Sequence, residues 1–240
     1  MNSKQHMVAV VIPTYNEAEN LPVLVQRLVS LEIDELGIVV VDDGSPDGTG
    51  DVAEEIRAQF NGYFEVIHRT KKTGLGRAYV AGFLRALESG ATKVVQMDAD
   101  LSHAPEEVPH MIAGLDVADV VVGSRYIQGG GSDPDWNLSR KLLSTAGNLG
   151  IRLVLGLSVR DATSGFKAFR RSALESIDLD RLNLSGYGFQ PEVTYRCQKL
   201  GMRVLEHPYV FHERTVGESK MSISIIGEAI YRLILLRLRC

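Results

Sequence analysis

The residues best suited to chemistry lie in the stretch Val94-Val95-Gln96-Met97-Asp98-Ala99-Asp100-Leu101-Ser102-His103. Two carboxylates one residue apart follow an apolar, β-branched run that reads as a central strand of a parallel sheet. In open α/β sheets, ligands bind beyond the carboxyl ends of the strands, so Asp98 and Asp100 stand where a ligand belongs. Close carboxylates repel unless a cation lies between them. A hard divalent cation, Mg²⁺ or Mn²⁺, suits oxygen ligands, above all when substrate phosphates complete its shell. The plainer reading is a solvated acidic turn. His103 reads as a metal ligand or general acid on one account, and as a capping or packing residue on the other.

Other strand ends carry similar residues. Val39-Val40-Val41 runs into Asp42, which either accepts hydrogen bonds from a base or ribose or closes the Asp-Gly-Ser-Pro turn. After the first strand, Tyr15 can stack on a base. Glu17 can accept from that base or serve as a first-turn carboxylate on the helix dipole. Arg125 ends a further strand, where a planar guanidinium suits phosphate oxygens. Arg214 and Lys220 add basic charge in a polar segment. The pair Gly74-x-Gly76 lacks the third glycine of a dinucleotide fingerprint and the Gly-Lys-Ser/Thr of a P-loop, and reads as close helix–strand packing.

Strands and helices must alternate to hold these positions. Strands are expected at Val8–Ile12, Gly37–Val41, Tyr63–His68, the organising stretch, Asp119–Val122, Ser164–Phe169 and Val204–Phe211. Helices are expected after Asn16 (with Glu19 completing a capping box), over Arg77–Glu88, Pro105–Leu115, from Leu138 onward and over Pro191–Leu200. Such alternation implies a mostly parallel sheet covered on both faces. Gln128-Gly129-Gly130-Gly131-Ser132-Asp133-Pro134 is a loop with hinge chemistry. Beyond it, Leu142, Ala146, Leu149 and Leu153 share one helix face. Arg140 and Ser144 lie one turn apart on that helix and pair a bidentate donor with a hydroxyl, a set suited to a phosphate monoester.

Of the 240 residues, 45% are hydrophobic and 23% charged, as in an ordinary globular protein. A net charge of -4 supplies no basic field for nucleic acid. Cys197 and Cys240 have no metal or disulfide spacing and fit a reducing compartment. The first residues contain no signal-peptide core, and no apolar run is long enough to span a bilayer. The segment 223–240 is amphipathic, with Ile226, Ile230, Leu233 and Ile234 on one face and Arg232, Arg237 and Arg239 nearby. It suits an interfacial helix or one packed on the protein itself.

Seven motifs occur in order: Val-Ile-Pro-Thr-Tyr-Asn-Glu (11–17), Val-Val-Asp-Asp-Gly-Ser-Pro-Asp-Gly-Thr (40–49), Gly-Leu-Gly-Arg-Ala (74–78), Met-Asp-Ala-Asp-Leu-Ser-His (97–103), Val-Gly-Ser-Arg-Tyr (122–126), Thr-Ser-Gly-Phe (163–166) and Glu-Arg-Thr-Val-Gly-Glu-Ser-Lys (213–220). Together they resemble the inverting family 2 glycosyltransferases of GT-A fold, and within them the dolichyl- or polyprenyl-phosphate mannose synthases. The resemblance implies an α/β three-layer sandwich of GT-A (Rossmann-like) type. A single catalytic domain would span 1–222, including an acceptor helix at 137–157, and an amphipathic helix would follow at 223–240. It implies that Pro13, Tyr15, Glu17, Val40 and Asp42 contact the guanosine and ribose of GDP-mannose. Asp98, Ala99 and Asp100 would flank metal and diphosphate. Arg125, Arg214 and Lys220 would hold phosphates, with Asp100, Arg125 and Arg214 the catalytic set. Arg125, Arg140 and Ser144 would take the acceptor phosphate. Ser102 stands where some relatives have a glutamine as third metal ligand. The implied partners are GDP-mannose, a dolichyl or polyprenyl phosphate lipid, a membrane surface at its cytoplasmic face, and a small membrane subunit or a second copy of the chain. Nucleic acid is not among them. Transfer from UDP-glucose to the same lipid, or a non-catalytic nucleotide-sugar-binding role, are the alternatives.

Overall fold

A computed structural model of the chain describes residues 8–133, 138–182, 186–212 and 231–238. Its centre is a seven-stranded sheet in the order β3-β2-β1-β4-β7-β5-β8. The strands are β1 (Val8–Thr14), β2 (Leu36–Asp42), β3 (Tyr63–His68), β4 (Lys93–Gln96), β5 (Val120–Ser124), β7 (Lys167–Arg170) and β8 (Val204–Pro208). A two-stranded sheet pairs β6 (Gly131–Ser132) with β9 (Val210–Phe211). Chain order runs from β1 outward to β3, then returns to place β4 on the other side of β1. The strand-order reversal, which the sequence does not reveal, therefore lies between β1 and β4, and a crevice opens at such a point. Only β7 is antiparallel, pairing with β4 on one side and β5 on the other.

Alternate residues of the apolar strands feed two cores, which is why the strands read as unbroken hydrophobic runs. Val8, Val10 and Ile12 join Leu21 and Leu24 of α1 (Asn20–Val29), Ala53 of α2 (Thr49–Gln59) and Met111 of α4 (Val108–Gly114). Ala9 and Val11 join Tyr79 and Phe83 of α3 (Leu75–Glu88), Leu174 of α6 (Arg171–Ser176) and Val193 of α7 (Phe189–Lys199). The result is the expected three-layer sandwich. A third cluster joins Ile151 and Leu155 of α5 (Leu138–Leu155) to Tyr195 and to Leu233 of the helical segment 231–238.

Several local expectations are corrected. Asn16 does not cap α1. It sits at φ +62°, Glu19 holds the N-cap position without a side-chain hydrogen bond, and Glu17 Oε2 accepts from the Asn20 amide instead. The helix expected over Pro105–Leu115 starts as a 3₁₀ turn, Pro105–Glu107, before α4. The strand expected over Val204–Phe211 breaks at Tyr209, where the chain leaves the main sheet to pair with β6. Leu233 is fully buried, so it belongs to the protein's own core and not to an interfacial face; Tyr231, Ile234 and Leu238 are the exposed apolar residues there.

Close packing of α3 on the sheet comes from a glycine the sequence reading passed over. A Cβ on Gly82 would lie 2.3 Å from Val11 Cγ1 and 3.1 Å from Val41 Cγ2, both fixed in adjacent strands. Gly74 has a different task. It opens α3 at φ +104°, ψ 152°, a conformation that glycine alone adopts readily. Gly82→Ala should therefore destabilise the protein despite alanine's helix propensity. Overpacking costs typically about 1–3 kcal/mol, against about 1 kcal/mol gained in propensity. Chemical denaturation of the two proteins checks this, and a stabilised variant would mean that α3 stands off the sheet.

Within the sheet lies a buried amine with no ion-pair partner among the described residues. Lys167 of β7 is fully buried, and its Nζ donates to the Ser164 carbonyl (2.5 Å) and to Gln190 Oε1 (2.7 Å). Gln96 Nε2 donates to the same Gln190 oxygen (2.7 Å) and to the Gly165 carbonyl (2.8 Å), so β4, β7 and α7 are tied together beneath the Asp98 loop. Burial pushes the Lys167 pKa down to about 7, against the pull of Asp161 and Asp98. The folded state thus binds this proton less tightly than the unfolded chain. The resulting penalty is fully present below about pH 7 and is relieved as pH rises toward the ordinary value of 10.5. The stability of Lys167→Met relative to wild type should accordingly fall between pH 7 and pH 10 and stay level below pH 7, as read from denaturation midpoints across that range. A difference independent of pH would show that Lys167 keeps an ordinary pKa.

Candidate functional site

The loop after β4 is built around its two aspartates. Asp100 is 4% exposed, and its Oδ1 accepts the backbone N–H of Ser102 (3.1 Å) and the Ser102 hydroxyl (2.6 Å). That turn holds Leu101 at φ +62°, a region a branched side chain enters only when its surroundings impose it. Ser102, itself 1% exposed, spends its hydroxyl proton on Asp100. It orients that carboxylate, while the lone pairs of its oxygen stay on the Asp100 side of the loop. Asp98 is half-buried, and its Oδ1 accepts from the Tyr79 hydroxyl (2.6 Å), while Oδ2 receives no hydrogen bond from the described residues. Burial and the neighbouring aspartates raise the Tyr79 pKa far above its usual value, so the phenol remains a donor.

His103 lies beneath the same loop. Its Nδ1 accepts the backbone N–H of Asp98 (3.1 Å), and its ring stacks on Phe166 at 5.1 Å between centroids. Burial lowers its pKa, so the ring is neutral. The packing reading is the one realised, and the acid and metal-ligand readings are set aside. Gly165 completes the wall, since a Cβ there would lie 3.3 Å from Asp98 Oδ2 and 3.3 Å from His103 Cε1. These donors fit a hard divalent cation. Two carboxylates share one tight loop, Asp98 Oδ2 accepts no hydrogen bond from the described residues, and the donors Tyr79 and Ser102 are neutral.

Across the crevice, the loops after β1 and β2 are stitched together. The backbone N–H groups of Asn16, Glu17 and Ala18 donate to Ser45 Oγ (3.1 Å), Thr49 Oγ1 (2.9 Å) and Asp47 Oδ2 (3.1 Å). Pro13 and Val40 lie in neighbouring strands there. Asp42 is 3% exposed. Both its oxygens accept from Ser45, and Oδ1 also accepts from Thr14, so turn closure is its visible role. Tyr15 is exposed, with Lys72 Nζ 3.5 Å from its ring centroid, and offers a flat surface at the mouth of the crevice.

Arg125 departs from expectation. Its Nε and one terminal nitrogen hold both oxygens of Asp161 at 2.7 and 2.9 Å, and that same nitrogen donates to Thr163 Oγ1 (2.7 Å). The pair is buried. Burial disfavours both charges, but their mutual attraction outweighs it, raising the Arg125 pKa and lowering that of Asp161. Arg125 is thus paired with Asp161 in the ligand-free protein, with only Nη1 uncommitted among the described residues. Sequence reading missed Asp161 and Tyr79. Asp161 stands two residues before the quoted Thr-Ser-Gly-Phe motif, and Tyr79 is a hydroxyl on an otherwise apolar helix face; neither signal is specific by itself.

Helix α5 does return over this end of the sheet. Ser144 Oγ lies 2.9 Å from the Tyr126 hydroxyl, next to the Arg125 strand end. The Asn148 side chain donates to the Arg160 carbonyl (2.7 Å) and accepts the Ala162 N–H (2.9 Å). Arg140 lies on the Ser144 side of α5, whereas Leu142, Leu149 and Leu153 are exposed. Arg214 and Lys220 lie outside the described residues, as do Ile226, Ile230 and Arg239.

Residues 9–178 match the family model described as Glycosyl transferase family 2. The chain is 48% identical over 223 residues to the undecaprenyl-phosphate mannosyltransferase of Micrococcus luteus, a match covering 93% of this chain and 90% of the relative. It is 46% identical over 224 residues to the polyprenol monophosphomannose synthase of Mycolicibacterium smegmatis, covering 93% and 84%. A mannosyltransferase of Pyrobaculum calidifontis, solved in complex with GDP-Man and Mn²⁺, superposes with a TM-score of 0.63 at 19% identity, over 98% of this chain and 65% of the other. That likeness is one of overall fold alone. The family match and the close relatives carry the rest: the chain belongs to glycosyl transferase family 2 and has the GT-A fold.

Proposed function

We propose that this protein transfers mannose from GDP-mannose to a polyprenyl monophosphate, with inversion at the anomeric carbon. The observation that carries the reading is the meeting, at one end of the sheet, of the Asp98–Asp100 loop and of α5, whose Arg140–Ser144 turn adjoins a row of exposed leucines. The names of the relatives at 46–48% identity point the same way. An acidic loop at a switch point suits a nucleoside diphosphate sugar with Mg²⁺ or Mn²⁺, and an apolar helix face beside a basic turn suits a lipid phosphate.

Asp98 and Asp100 would hold the cation, which when bound neutralises charge building on the departing diphosphate. Tyr15 and the stitched loops of residues 16–18 and 45–49 would seat the nucleoside, with Pro13, Glu17, Val40 and Asp42 around it. Arg140 and Ser144 would hold the acceptor phosphate, and Arg214 and Lys220 would add charge at the diphosphate. The acceptor oxygen is already anionic at neutral pH, so attack needs no strong general base. The exposed Leu142, Leu149 and Leu153 of α5 and the exposed Tyr231, Ile234 and Leu238 would meet the membrane. No helix among the described residues is long and apolar enough to cross one.

Incubation with GDP-mannose, Mg²⁺ or Mn²⁺ and a polyprenyl phosphate should yield a mannosylated lipid and GDP. Transfer from UDP-glucose in place of GDP-mannose would overturn the donor assignment. Asp98→Asn, which preserves the Tyr79 hydrogen bond and removes the charge, should lower turnover on the order of 10²-fold or more with an unchanged melting temperature. Arg140→Ala should raise KM for the polyprenyl phosphate and leave GDP affinity nearly constant. A collapse of GDP affinity would move Arg140 to the nucleotide side.

A further inference from the structure

On the α4 face of the edge strand β8, three side chains converge that the reaction does not use. Glu107 precedes α4, His110 lies one helical turn on, and His207 comes from β8 about a hundred residues later. Glu107 Oε2 is the hub: His207 Nε2 lies 2.7 Å away and His110 Nδ1 3.6 Å away. One ligand atom from each of the three falls within 4.8 Å of the others. The two imidazoles lie nearly parallel, 5.5 Å between centroids and 10° between planes, so their nitrogens flank the same carboxylate.

We propose that Glu107, His110 and His207 form a second cation site, selective for a borderline divalent transition metal such as Zn²⁺. Two imidazole nitrogens and one carboxylate oxygen are a donor set that Zn²⁺ takes readily, with water in the fourth position. The site differs in kind from the Asp98–Asp100 loop, whose oxygens suit hard cations. Bonds of roughly 2.0–2.1 Å place tetrahedral donors a little over 3 Å apart, so modest side-chain rotations close the present triangle. The side chains are 31%, 68% and 22% exposed for Glu107, His110 and His207, which leaves a cation access from solvent and room for its water. In the metal-free protein His207 Nε2 and Glu107 share a 2.7 Å hydrogen bond, and ligation through Nε2 would leave the ring proton on Nδ1. The bound ion would pin α4 to the sheet's edge strand, whose next residue but one, Tyr209, packs edge-on against His103 and Phe166 under the acidic loop.

The test is calorimetric titration with Zn²⁺, with Co²⁺ absorption as a second readout of imidazole ligation. Cys240→Ser is carried in every protein so that its thiol does not compete. Wild type and the doubly substituted Asp98→Asn/Asp100→Asn protein should bind Zn²⁺ alike at this site. His207→Ala should weaken binding by more than the roughly 10–100-fold that losing an outer-shell partner of a metal costs. His110→Ala, at an exposed position, and Glu107→Gln repeat the measurement in case His207→Ala perturbs β8, with folding checked by circular dichroism. Zn²⁺ affinity unchanged in all three variants overturns the proposal. So does binding that survives in them and disappears from the aspartate variant.

Discussion

The bidentate pair between Arg125 and Asp161 is the interaction on which the reactive end of the molecule depends. It joins the end of β5 to the loop entering β7, and neighbouring contacts radiate from it. Glu206 of β8 accepts the backbone N–H groups of Arg160 and Asp161, Asn148 of α5 brackets the same loop, and Tyr126 reaches Ser144. Removing one member of such a pair leaves a buried charge uncompensated, which costs about 3–5 kcal/mol. Three elements that share no covalent neighbourhood thus keep one arrangement, and α5 stays over the site because a buried ion pair fixes the loop against which it rests.

The acidic loop is supported on a different principle. The donor reaching Asp98 from α3, the phenol of Tyr79, is uncharged, and so are His103 and Ser102 beside it. The nearest buried ammonium, Lys167, is directed at the Gln190 and Ser164 oxygens, and burial weakens its hold on its proton. A cationic brace would neutralise the two carboxylates from beneath. The neutral donors Tyr79 and Ser102 position the carboxylates without cancelling the charge that attracts a cation from the crevice.

Much of this was legible in the chain. The strand–helix alternation, the acidic turn after β4 and the exposed leucine face of α5 follow from local periodicity and turn chemistry, because each is decided within a dozen residues. What escaped depends on partners far apart in sequence. Asp161 becomes a distinctive residue only when β5 brings Arg125 to it, 36 positions away. Gly82 looks like an ordinary helix interruption until Val11 is placed against it. Arg125 was read from its strand-end position without the Asp161 that pairs with it, and of the two readings open for the last helix, the buried Leu233 fits packing on the protein itself. The antiparallel direction of β7 had no local signature at all.

That single reversed strand bears on how the chain must come together. β4 and β5 are joined to each other only through β7, which follows β4 by about seventy residues and enters after the whole of α5. Until β7 is in place, β4 and β5 each present an unpaired edge of Val-rich backbone, the kind of edge that recruits other chains. Pairings so distant in sequence are slow to form. During synthesis, the first four strands can assemble around β1 while the half carrying Arg125 waits for residues not yet made. A chain halted before Lys167 would keep both acidic turns and most of its nucleotide crevice and still be prone to aggregate, its fate decided by two open strand edges.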